Sequence, residues 1–329
     1  MNILVCGGAG YIGSHMVDLL LARGHNVTTF DNLSTGHRDA VLGGRFELGD
    51  LGSTADLDRV LGSKAYDAVM HFAAFIRVEE SVAQPGKYFR NNLCNTLNLL
   101  DAMVRHGVRR FIFSSTAAVY GEPRYVPVDE KHPREPINPY GSSKRMVEDA
   151  LMYYAGAYGL NSVPLRYFNA AGADPKARLG PRHDPLTHLI PLVLRAAAGV
   201  TPNVKVFGRD YPTPDGTAVR DYIHVVDLCE AHLAAIEYLM KGGETRAFNL
   251  GVGRGFSVQE VIDSVKRVTR RDFEVITAGR RAGDPAQLVA NSSLAQSAFG
   301  WKPRYADLDT IVAHNWAWQL KTMEQQKSA

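Results

Sequence analysis

The sequence predicts an α/β protein with a doubly wound parallel sheet, followed by a smaller and loop-rich C-terminal domain. Over the first half of the chain, short runs rich in Val, Ile and Phe alternate with segments of helical periodicity, which is the pattern of βαβ units. After about residue 170 the composition changes, and the stretch AAGADPKARLGPRHDP is rich in Gly, Pro and small residues. We therefore expect one domain over residues 1–170 and a second over residues 171–329, with residues around 220–240 packing back on the first.

This alternation places each predicted element in order along the chain. The apolar runs predict strands at residues 3–6, 27–31, 68–73, 110–115 and 162–167. The segments of helical periodicity predict helices at residues 12–23, 55–61, 87–106, 139–158, 189–198, 226–240 and 257–269. The last helix opens with Ser257 and carries Glu260 three residues later, which is the spacing of a capping box.

The composition narrows the class of protein. The 329 residues are 45% hydrophobic, which is ordinary for a globular chain with a large core. The net charge is only +3 and no cluster of Lys and Arg stands out, so we expect no nucleic-acid partner. The 11 histidines show no metal-ligand spacing and the 3 cysteines lie far apart, so we expect no bound metal and no disulfide framework. No signal peptide and no apolar run of roughly 18 residues is visible, so we expect a cytoplasmic protein without a membrane partner.

Three glycines, Gly7, Gly10 and Gly13, stand between the first predicted strand and the first predicted helix. Glycine permits a tight turn there and lets backbone N–H groups approach a pyrophosphate at the positive end of the helix. Because a strand precedes the glycines and a helix follows them, the pattern predicts a Rossmann-type dinucleotide site. Ser14 follows Gly13 where an ATP-binding loop of the Walker type needs a lysine, which excludes that alternative.

The second predicted strand ends in Asp31. A carboxylate at this position can hold both ribose hydroxyls of NAD and would repel the additional phosphate of NADP, so we expect NAD as the cofactor. Asp50, in the stretch ELGDL, stands where a carboxylate could bond the adenine, but an aspartate in a surface loop is equally common. Both interpretations of Asp50 stay open.

Tyr140 and Lys144 form the candidate reacting pair in the stretch NPYGSSKR. Asn138 can cap a helix whose first residue is Pro139, which places the two side chains one turn apart on one face. A phenol with a pKa of about 10 is a poor base at neutral pH, and a nearby ammonium together with a cationic nicotinamide favours the phenolate. Lys144 can also bond the nicotinamide ribose.

Thr116 lies at the end of the fourth predicted strand, at the carboxyl edge of the sheet where ligands bind. Its hydroxyl could pass a hydrogen bond between a substrate alcohol and Tyr140. The alternative is a β-branched residue that packs at a strand end, which would be the better interpretation if Tyr140 and Lys144 were absent.

Taken together, seven segments are similar to the extended short-chain dehydrogenase/reductase family. They are GGAGYIGSH, DNLSTGHR, FSSTAAVYG, NPYGSSK, RYFNAAGA, VFGRDYPTPDGTAVRDYIHVVDL and RRAGDP. The first four are typical of the superfamily, whereas DYPTPDGTAVRDYIHV is more specific to members that epimerise UDP-sugars at C4. The resemblance covers nearly the whole chain and implies an NAD-dependent isomerase that interconverts UDP-glucose and UDP-galactose through a transient 4-keto sugar. It also implies a homodimer formed by the helices at residues 87–106 and 139–158.

The same resemblance implies roles for individual residues. Tyr140 would be the base, with Thr116 and Lys144 as its catalytic partners. The expected cofactor contacts are Gly7, Gly10, Tyr11, Ile12, Gly13, Asp31, Asn32, Asp50, Leu51, Phe72, Ala73, Asn92, Tyr140, Lys144 and Tyr167. The expected substrate contacts are Thr116, Asn169, His188, Leu189, Phe207, Arg220, Arg281 and Asp284. Two guanidiniums suit two phosphates, although a single arginine is more often solvated or ion-paired.

Three positions depart from the family pattern. Ile76 stands where many members carry a lysine near the cofactor phosphates, so that contact is missing or supplied by Arg77. His188 stands where asparagine is common, which puts one substrate contact in doubt. Leu288 stands at the position that limits the room for the sugar. Leucine is smaller than the tyrosine of strict members and larger than the residues of permissive ones, so UDP-N-acetylhexosamines stay open as substrates.

The same residues discriminate between this activity and other functions that occur on the same fold. A nucleotide-sugar 4,6-dehydratase needs an acid and a base directly after Thr116, where this chain has Ala117 and Ala118. A 4-epimerase of a UDP-pentose or a UDP-uronate stays open, and Arg77 is a residue that could contact a carboxylate. A non-catalytic NAD-binding regulator would lack Tyr140 or Lys144, and both are present.

Overall fold

The computed structural model describes residues 1–281 and 283–328, and its centre is the predicted parallel sheet. The strands are, in chain order, β1 (Asn2–Cys6), β2 (Asn26–Asp31), β3 (Arg45–Leu48), β4 (Ala68–His71), β5 (Arg110–Thr116), β6 (Asn161–Tyr167), β7 (Asn169–Ala171), β8 (Asn203–Phe207), β9 (Val219–His224), β10 (Phe248–Leu250), β11 (Gly255–Ser257), β12 (Glu274–Ala278) and β13 (Gln287–Leu288). The α-helices are α1 (Tyr11–Ala22), α2 (Thr54–Gly62), α3 (Val78–Ala83), α4 (Pro85–Tyr88), α5 (Asn95–Arg105), α6 (Pro139–Tyr158), α7 (Leu189–Ala197), α8 (Val225–Met240), α9 (Val258–Thr269), α10 (Ser293–Phe299) and α11 (Leu308–Ser328). A π-helical segment, Phe89–Cys94, lies between α4 and α5, and 3₁₀ turns cover Arg38–Ala40 and Ala117–Val119.

Among the described residues, seven strands form the large sheet in the order β10-β6-β5-β4-β1-β2-β3, and every neighbouring pair is parallel. Successive side chains of a strand point to opposite faces. Ile3 and Val5 of β1 therefore join one hydrophobic cluster with α1 and α8. Leu4 and Cys6 join a second cluster with α2, α5 and α6. Because helices cover both faces, the predicted doubly wound α/β fold is confirmed.

The sequence does not predict the two edge strands of this sheet. In β3, the residues Arg-Phe-Glu-Leu alternate in polarity and are half-exposed or exposed, so they lack the apolar run that marks the inner strands. β10 has only three residues, which is too short for a periodic signal, and it comes from the second half of the chain to pair with β6. Its place in the sheet depends on tertiary contacts rather than on local sequence.

The predicted helix at residues 87–106 is interrupted in the structure. α4 ends at Tyr88, the π-helical segment follows, and α5 begins at Asn95. A π-helical turn holds more residues than an α-helical one and changes the direction of the side chains that it carries. In this segment Asn92 is buried, and its amide group makes two hydrogen bonds of 2.9 Å with the backbone of Phe75.

A third hydrophobic cluster forms the core of the C-terminal part. It includes residues of α7, α9 and α11 together with β8 and β12, which pair in parallel. Nearby, β9 pairs with β7, β11 and β13 in a smaller sheet. Although they follow residue 171, α8 contacts α1, β5 and β6, and β10 joins the large sheet. The division of the chain into residues 1–170 and 171–329 stays a prediction.

The two longest helices in the described part of the chain are α6 and α11, with 20 and 21 residues. Both carry charged residues along their length. Between residues 1–281 and 283–328, no helix combines the length and the apolar character needed to cross a membrane.

α9 begins with the predicted capping box. The Ser257 hydroxyl accepts a hydrogen bond of 3.0 Å from Glu260 N, and Ser257 N donates one of 2.7 Å to Glu260 Oε2. The same hydroxyl donates to the Asp215 carboxylate in the loop before β9. The cap therefore satisfies N–H groups that have no partner inside the helix, and it ties α9 to that loop.

We expect Ser257→Ala to lower the free energy of unfolding by about 1–2 kcal/mol, because an N–H group of the helix and the Asp215 carboxylate both lose a partner. Thermal unfolding followed by circular dichroism should show a lower Tm. Ser297→Ala is the matched control, since this exposed hydroxyl donates to Leu294 O within its own helix. Equal Tm values for Ser257→Ala and the unmodified protein would contradict a stabilising cap.

Candidate active site

The glycine turn places the N-terminus of α1 at the carboxyl end of β1. Gly7 has a φ of +77°, which residues with a side chain adopt only with strain. A Cβ atom on Gly7 would stand 2.5 Å from Ala73 N, and one on Gly13 would overlap Gly7 O. Gly10 is the N-cap of α1 and provides no side-chain cap. The N–H groups of the first turn are therefore open to an anion that approaches along the backbone.

Asp31 ends β2 beside this turn, and the backbone fixes its carboxylate. Oδ2 accepts a hydrogen bond of 2.9 Å from Ala9 N, and Oδ1 accepts one of 2.8 Å from Leu33 N. Each carboxylate oxygen can accept a further hydrogen bond. The position and orientation of Asp31 therefore suit a pair of ribose hydroxyls, as the sequence predicts.

A first cleft extends from the glycine turn past the ends of β2 and β4. The predicted cofactor contacts that line it are Gly7, Gly10, Asp31, Asn32, Asp50, Leu51, Phe72 and Ala73. Asp50 accepts hydrogen bonds of 2.6 Å from Asn32 Nδ2 and from Gly52 N. These bonds suit a loop aspartate, and the place of Asp50 in the lining suits an adenine contact, so both interpretations remain.

Other predicted cofactor contacts lie outside the lining of this cleft. Gly13 is buried behind the turn, and Ile12 packs on the core below α1. Tyr11 lines a second cleft, and its hydroxyl donates a hydrogen bond of 2.6 Å to Gly172 O. Both amide atoms of Asn92 bond the backbone of Phe75, whereas the neighbouring Asn91, which the sequence does not predict, lines the first cleft.

α6 carries the reacting pair and begins as predicted. Asn138 Oδ1 accepts a hydrogen bond of 2.8 Å from Gly141 N, and Pro139 is the first helical residue. Lys144 is buried one turn into the helix, where its Nζ donates a hydrogen bond of 2.9 Å to Ser114 O. Burial lowers the pKa of Lys144 to about 7, and the Glu148 carboxylate acts in the opposite direction.

The Thr116 hydroxyl at the end of β5 lies beside the phenol of Tyr140. It also accepts a hydrogen bond of 3.1 Å from Ala118 N, which holds its rotamer. Burial raises the pKa of Tyr140, and the neighbouring Thr116 hydroxyl opposes this rise. The structure thus brings together Thr116, Tyr140 and Lys144, the three predicted catalytic residues.

Aromatic rings and a neutral imidazole surround this cluster. The Tyr88 ring meets Tyr140 edge-on, with ring centroids 6.5 Å apart. Burial, together with the charge of Lys144, lowers the pKa of His71 to about 3, so this imidazole is neutral. Tyr167, a predicted cofactor contact, ends β6, and burial raises the pKa of its phenol. The sequence does not predict Tyr88 or His71, and the predicted strand at residues 68–73 extends past His71, where the structure ends β4.

A second cleft lies in the C-terminal part of the chain. The predicted substrate contacts that line it are Asn169, His188, Leu189, Phe207, Arg220, Arg281 and Asp284. Lys205 and Tyr222 also line it, and the sequence does not predict them. In β8, Val204 and Val206 face the core while Lys205 and Phe207 are exposed. The alternation of buried and exposed side chains along this strand is therefore the sequence signal that could have identified Lys205.

The charges of the second cleft favour an anion. Arg220 Nη2 forms an ion pair of 2.8 Å with Asp284 Oδ1, and Arg281 Nε lies 3.4 Å from Asp284 Oδ2. The Arg281 guanidinium also lies 4.7 Å from the centre of the Phe207 ring. Arg281 Nη1 also lies 3.6 Å from Oε1 of the exposed Glu79, so two carboxylates face two guanidiniums, and Lys205 adds a third cation to the lining. The surplus positive charge, beside an exposed aromatic ring, suits a nucleoside diphosphate.

The three residues that depart from the family pattern lie in different parts of the structure. Ile76 and Arg77 are exposed, and Arg77 Nη1 lies 3.9 Å from Glu80 Oε1. His188 Nδ1 lies 3.2 Å from His183 Nε2, and burial together with His183 lowers the pKa of His188 to about 4. A neutral imidazole therefore lines the second cleft. Leu288 is half-buried against the cluster that contains Ala117 and Tyr120.

The strand order separates the two clefts on either side of β5. Residues at the ends of β1, β2 and β4 line the first cleft, whereas Asn169 of the second cleft follows β6. β5, which ends in Thr116, lies between β4 and β6. Neither lining includes Thr116, Tyr140 or Lys144.

The chain is similar to known proteins over nearly its whole length. The model of the NAD dependent epimerase/dehydratase family matches residues 3–251. A UDP-glucose 4-epimerase of Halalkalibacterium halodurans is 49% identical over 318 residues, which cover 97% of this chain and 95% of that protein. A crystal structure of a Brucella ovis UDP-glucose 4-epimerase in complex with NAD is 48% identical, with a TM-score of 0.94 over 96% of this chain and 98% of that one. A Stenotrophomonas maltophila UDP-glucose-4-epimerase with bound NAD and formylated UDP-arabinopyranose is 38% identical, with a TM-score of 0.95 over 99% of each chain.

We expect Gly7→Ala to weaken binding of NAD by on the order of tenfold or more, because the new Cβ atom would push the turn away from Ala73. Calorimetric titration of NAD into protein stripped of nucleotide measures the effect. Gly24→Ala is the matched control, since Gly24 has a φ of +76° and nothing lies within 4 Å of its added Cβ atom. Equal NAD affinities in the two variants would show that the turn does not require a close backbone approach.

Proposed function

The chain belongs to the NAD dependent epimerase/dehydratase family, and from this premise we propose that it interconverts UDP-glucose and UDP-galactose by epimerisation at C4. The near-full-length relatives and the NAD-bound structures agree with an NAD-dependent isomerase. The observation that carries the proposal is the cluster of Thr116, Tyr140 and Lys144 on β5 and α6, in a chain that also has a cleft suited to a dinucleotide and a cationic cleft.

The first cleft fits NAD on its own geometry. The turn at Gly7 and Gly13 leaves room only for backbone, which is the cradle that a pyrophosphate needs. The Asp31 carboxylate at its edge suits free ribose hydroxyls and would repel the phosphate of NADP. When bound, NAD would accept a hydride reversibly from C4 of the sugar.

We propose that Tyr140 accepts the proton of the sugar 4-hydroxyl through the hydroxyl of Thr116. Burial disfavours the charged form of each partner separately, since it raises the pKa of Tyr140 and lowers that of Lys144. The phenolate and the ammonium are therefore favoured as a pair, in which each charge compensates the other. A positive charge on the nicotinamide ring would favour the phenolate further.

The second cleft is proposed to anchor the UDP part of the substrate. Arg220, Arg281 and Lys205 would face the phosphates, and the Phe207 ring would contact the uracil. Inversion at C4 requires the 4-keto sugar to present its other face while the nucleotide stays bound. Strong charge-assisted bonds to the diphosphate, with few polar contacts to the sugar, meet this requirement.

The lack of acid and base beside Thr116 supports epimerisation over 4,6-elimination. Ala117 and Ala118 form a short 3₁₀ turn directly after β5. Elimination needs a base for the C5 proton and an acid for the departing C6 hydroxyl. Alanine side chains can perform neither step at these positions.

A substrate with another sugar is the second candidate. Leu288 packs beside Ala117 and Tyr120, close to the end of β5, where it can limit the space for the sugar. The Stenotrophomonas maltophila enzyme was solved with a formylated UDP-arabinopyranose. UDP-N-acetylhexosamines, UDP-pentoses and UDP-uronates therefore belong in the same assay as the UDP-hexoses.

We also propose that the protein is a homodimer through α6. On its outer side, Met146, Ala150, Tyr153 and Ala157 are spaced three or four residues apart and form a continuous apolar stripe. The side chain of Tyr153 is 78% exposed. A large aromatic side chain on an uncovered helix is typical of a surface that a second subunit covers.

The function is tested by incubating the purified protein with UDP-galactose, without added NAD, and following the sugar isomers by NMR. We expect UDP-glucose to form, because the cofactor returns to its starting state in each cycle and stays bound. UDP-N-acetylgalactosamine and UDP-arabinose in parallel measure how narrowly Leu288 restricts the sugar. No UDP-glucose from protein whose NAD content has been verified would exclude the proposed activity.

Tyr140→Phe is the control for the mechanism in this assay. Loss of a general base should reduce turnover by about 100-fold or more, while bound NAD stays at the level of the unmodified protein. Unchanged turnover in this variant would show that Tyr140 is not the base. It would leave the proposed substrate unaffected.

We expect Tyr153→Glu to convert the dimer to a monomer, because a charge would be buried at the centre of the apolar stripe. Size-exclusion chromatography with light scattering measures the mass. Tyr125→Glu serves as control, since Tyr125 is an exposed tyrosine in the loop between β5 and α6 and is not part of the stripe on the helix. A monomeric unmodified protein, or a dimeric Tyr153→Glu variant, would contradict the proposed interface.

A further inference from the structure

A row of polar side chains crosses three neighbouring strands directly behind the proposed catalytic residues. Ser115 on β5, Arg166 on β6 and Asn249 on β10 are register partners in the parallel sheet. Their side chains therefore emerge on the same face, and all three are buried. Buried polar groups destabilise a fold unless they are hydrogen-bonded, so the row needs partners from outside the sheet.

Glu148 of α6 is the main partner of this row. Its Oε1 accepts hydrogen bonds of 2.5 Å from Ser115 Oγ and 2.9 Å from Arg166 Nε, and its Oε2 accepts one of 2.6 Å from Arg166 Nη2. Arg166 Nη1 then donates one of 2.9 Å to the Tyr120 hydroxyl, which donates one of 2.6 Å to Asn249 Oδ1. Glu148 is only 4% exposed, so the whole chain of bonds is shielded from water.

The position of Glu148 links this row to the reacting groups. On α6, Glu148 follows Lys144 by one turn, and Lys144 follows Tyr140 by one turn. On β5, Ser115 immediately precedes Thr116. The Glu148 carboxylate thus connects the strand that presents Thr116 to the helix that presents Tyr140 and Lys144.

We infer that Glu148 is a positioning residue for the proposed epimerisation: it fixes the strand end at Thr116 against the helix of Tyr140 and Lys144, and it places a negative charge beside the Lys144 ammonium. The inference rests on the proposed function. It assigns to Glu148 a role through other residues, because its carboxylate is occupied by Ser115 and Arg166 and does not face either cleft.

The effect of the Glu148 charge on the pKa of Lys144 follows from the groups that face Lys144. From β4, His71 is neutral, and from β5, Ser114 offers its carbonyl oxygen. From α6, Tyr140 is a phenol with a raised pKa, and Glu148 is the carboxylate that stabilises the ammonium. Removal of the Glu148 charge should therefore lower the pKa of Lys144 below about 7.

The groups that face Glu148 are cationic. Arg166 comes from β6, and Arg134 from the loop before α6 places its Nη1 3.2 Å from Glu148 Oε2. Arg134 also pairs with Asp149 at 2.7 Å. Neutralisation of Glu148 would leave these cations in place. Their positive charge would lower the pKa of Lys144, as the loss of the carboxylate does.

The test uses the NAD-loaded protein with Glu148→Gln, since glutamine keeps the shape and an acceptor oxygen but removes the charge. We expect the pH–rate profile for kcat with UDP-galactose to move to lower pH by about one unit, and kcat at its optimum to fall by about tenfold. KM should stay within about twofold. In isotope-labelled lysine spectra, the ε-carbon signal of Lys144, assigned with Lys144→Met, should titrate at a lower pH by the same amount.

Asp149→Asn is the matched control. Asp149 is the next residue of α6, its carboxylate is half-exposed, and it shares Arg134 with Glu148. We expect neither the Lys144 titration nor the rate profile to move in this variant. A profile that shifts equally in Asp149→Asn would show a general charge effect of the helix and overturn the assignment.

A structural role alone predicts a different result. Glu148→Gln would then lower Tm and the yield of NAD-loaded protein, while the Lys144 titration and the pH–rate profile of the folded fraction stay unmoved, and this outcome overturns the inference. If the single variant does not fold, Glu148→Gln combined with Arg166→Gln removes both buried charges together. A lower Lys144 titration midpoint in that double variant supports the inference, and an unmoved one overturns it.

Discussion

Among the described residues, all strands of the large sheet point in one direction, and the positions of the glycine turn, Asp31, Thr116 and Tyr140 depend on this constraint. Parallel strands end at the same edge, and the helices that follow them begin there. The edge therefore collects the glycine turn after β1, Asp31 after β2 and Thr116 after β5. It also receives the start of α6 with Tyr140. β5 has seven residues, so an antiparallel β5 would carry Thr116 about 20 Å away from this edge.

Much of the site could be predicted from the sequence because its signals are local. The spacing of Gly7 and Gly10, the strand-end position of Asp31, and the one-turn separation of Tyr140 and Lys144 can each be recognised within a short window. Glu148 carries no such signal. In the sequence it is one polar residue of a long helix, and its burial depends on Ser115 and Arg166, which lie 33 and 18 residues away. The same reason explains why β10 was not predicted, since three residues become a strand only beside β6.

Burial is what makes the charges of this site interdependent. A buried ammonium and a buried phenolate are each unfavourable in isolation, so the state of Lys144 depends on Tyr140, and both depend on the fixed carboxylate of Glu148. In the second cleft the arginines follow a different arrangement. Arg220 and Arg281 share Asp284, which orients both guanidiniums, and Arg281 also lies 3.6 Å from the exposed Glu79 carboxylate. With Lys205 in the lining the cations still outnumber these carboxylates, which leaves the cleft prepared for an anion before any ligand enters.

α6 has to present one set of side chains to the sheet and another set to the outside. The periodicity of the helix explains how it does both. Tyr140, Lys144 and Glu148 recur every four residues and face the sheet, whereas Met146 and Tyr153 face outward. A slip of one residue along the helix would rotate its side chains by about 100° and turn Tyr140 away from Thr116. Asn138 fixes the first turn through its cap, and Glu148 fixes the third through Ser115 and Arg166. Because the helix is held on both sides of Lys144, the hydrogen bond of that residue to Ser114 O can form without adjustment of either strand or helix.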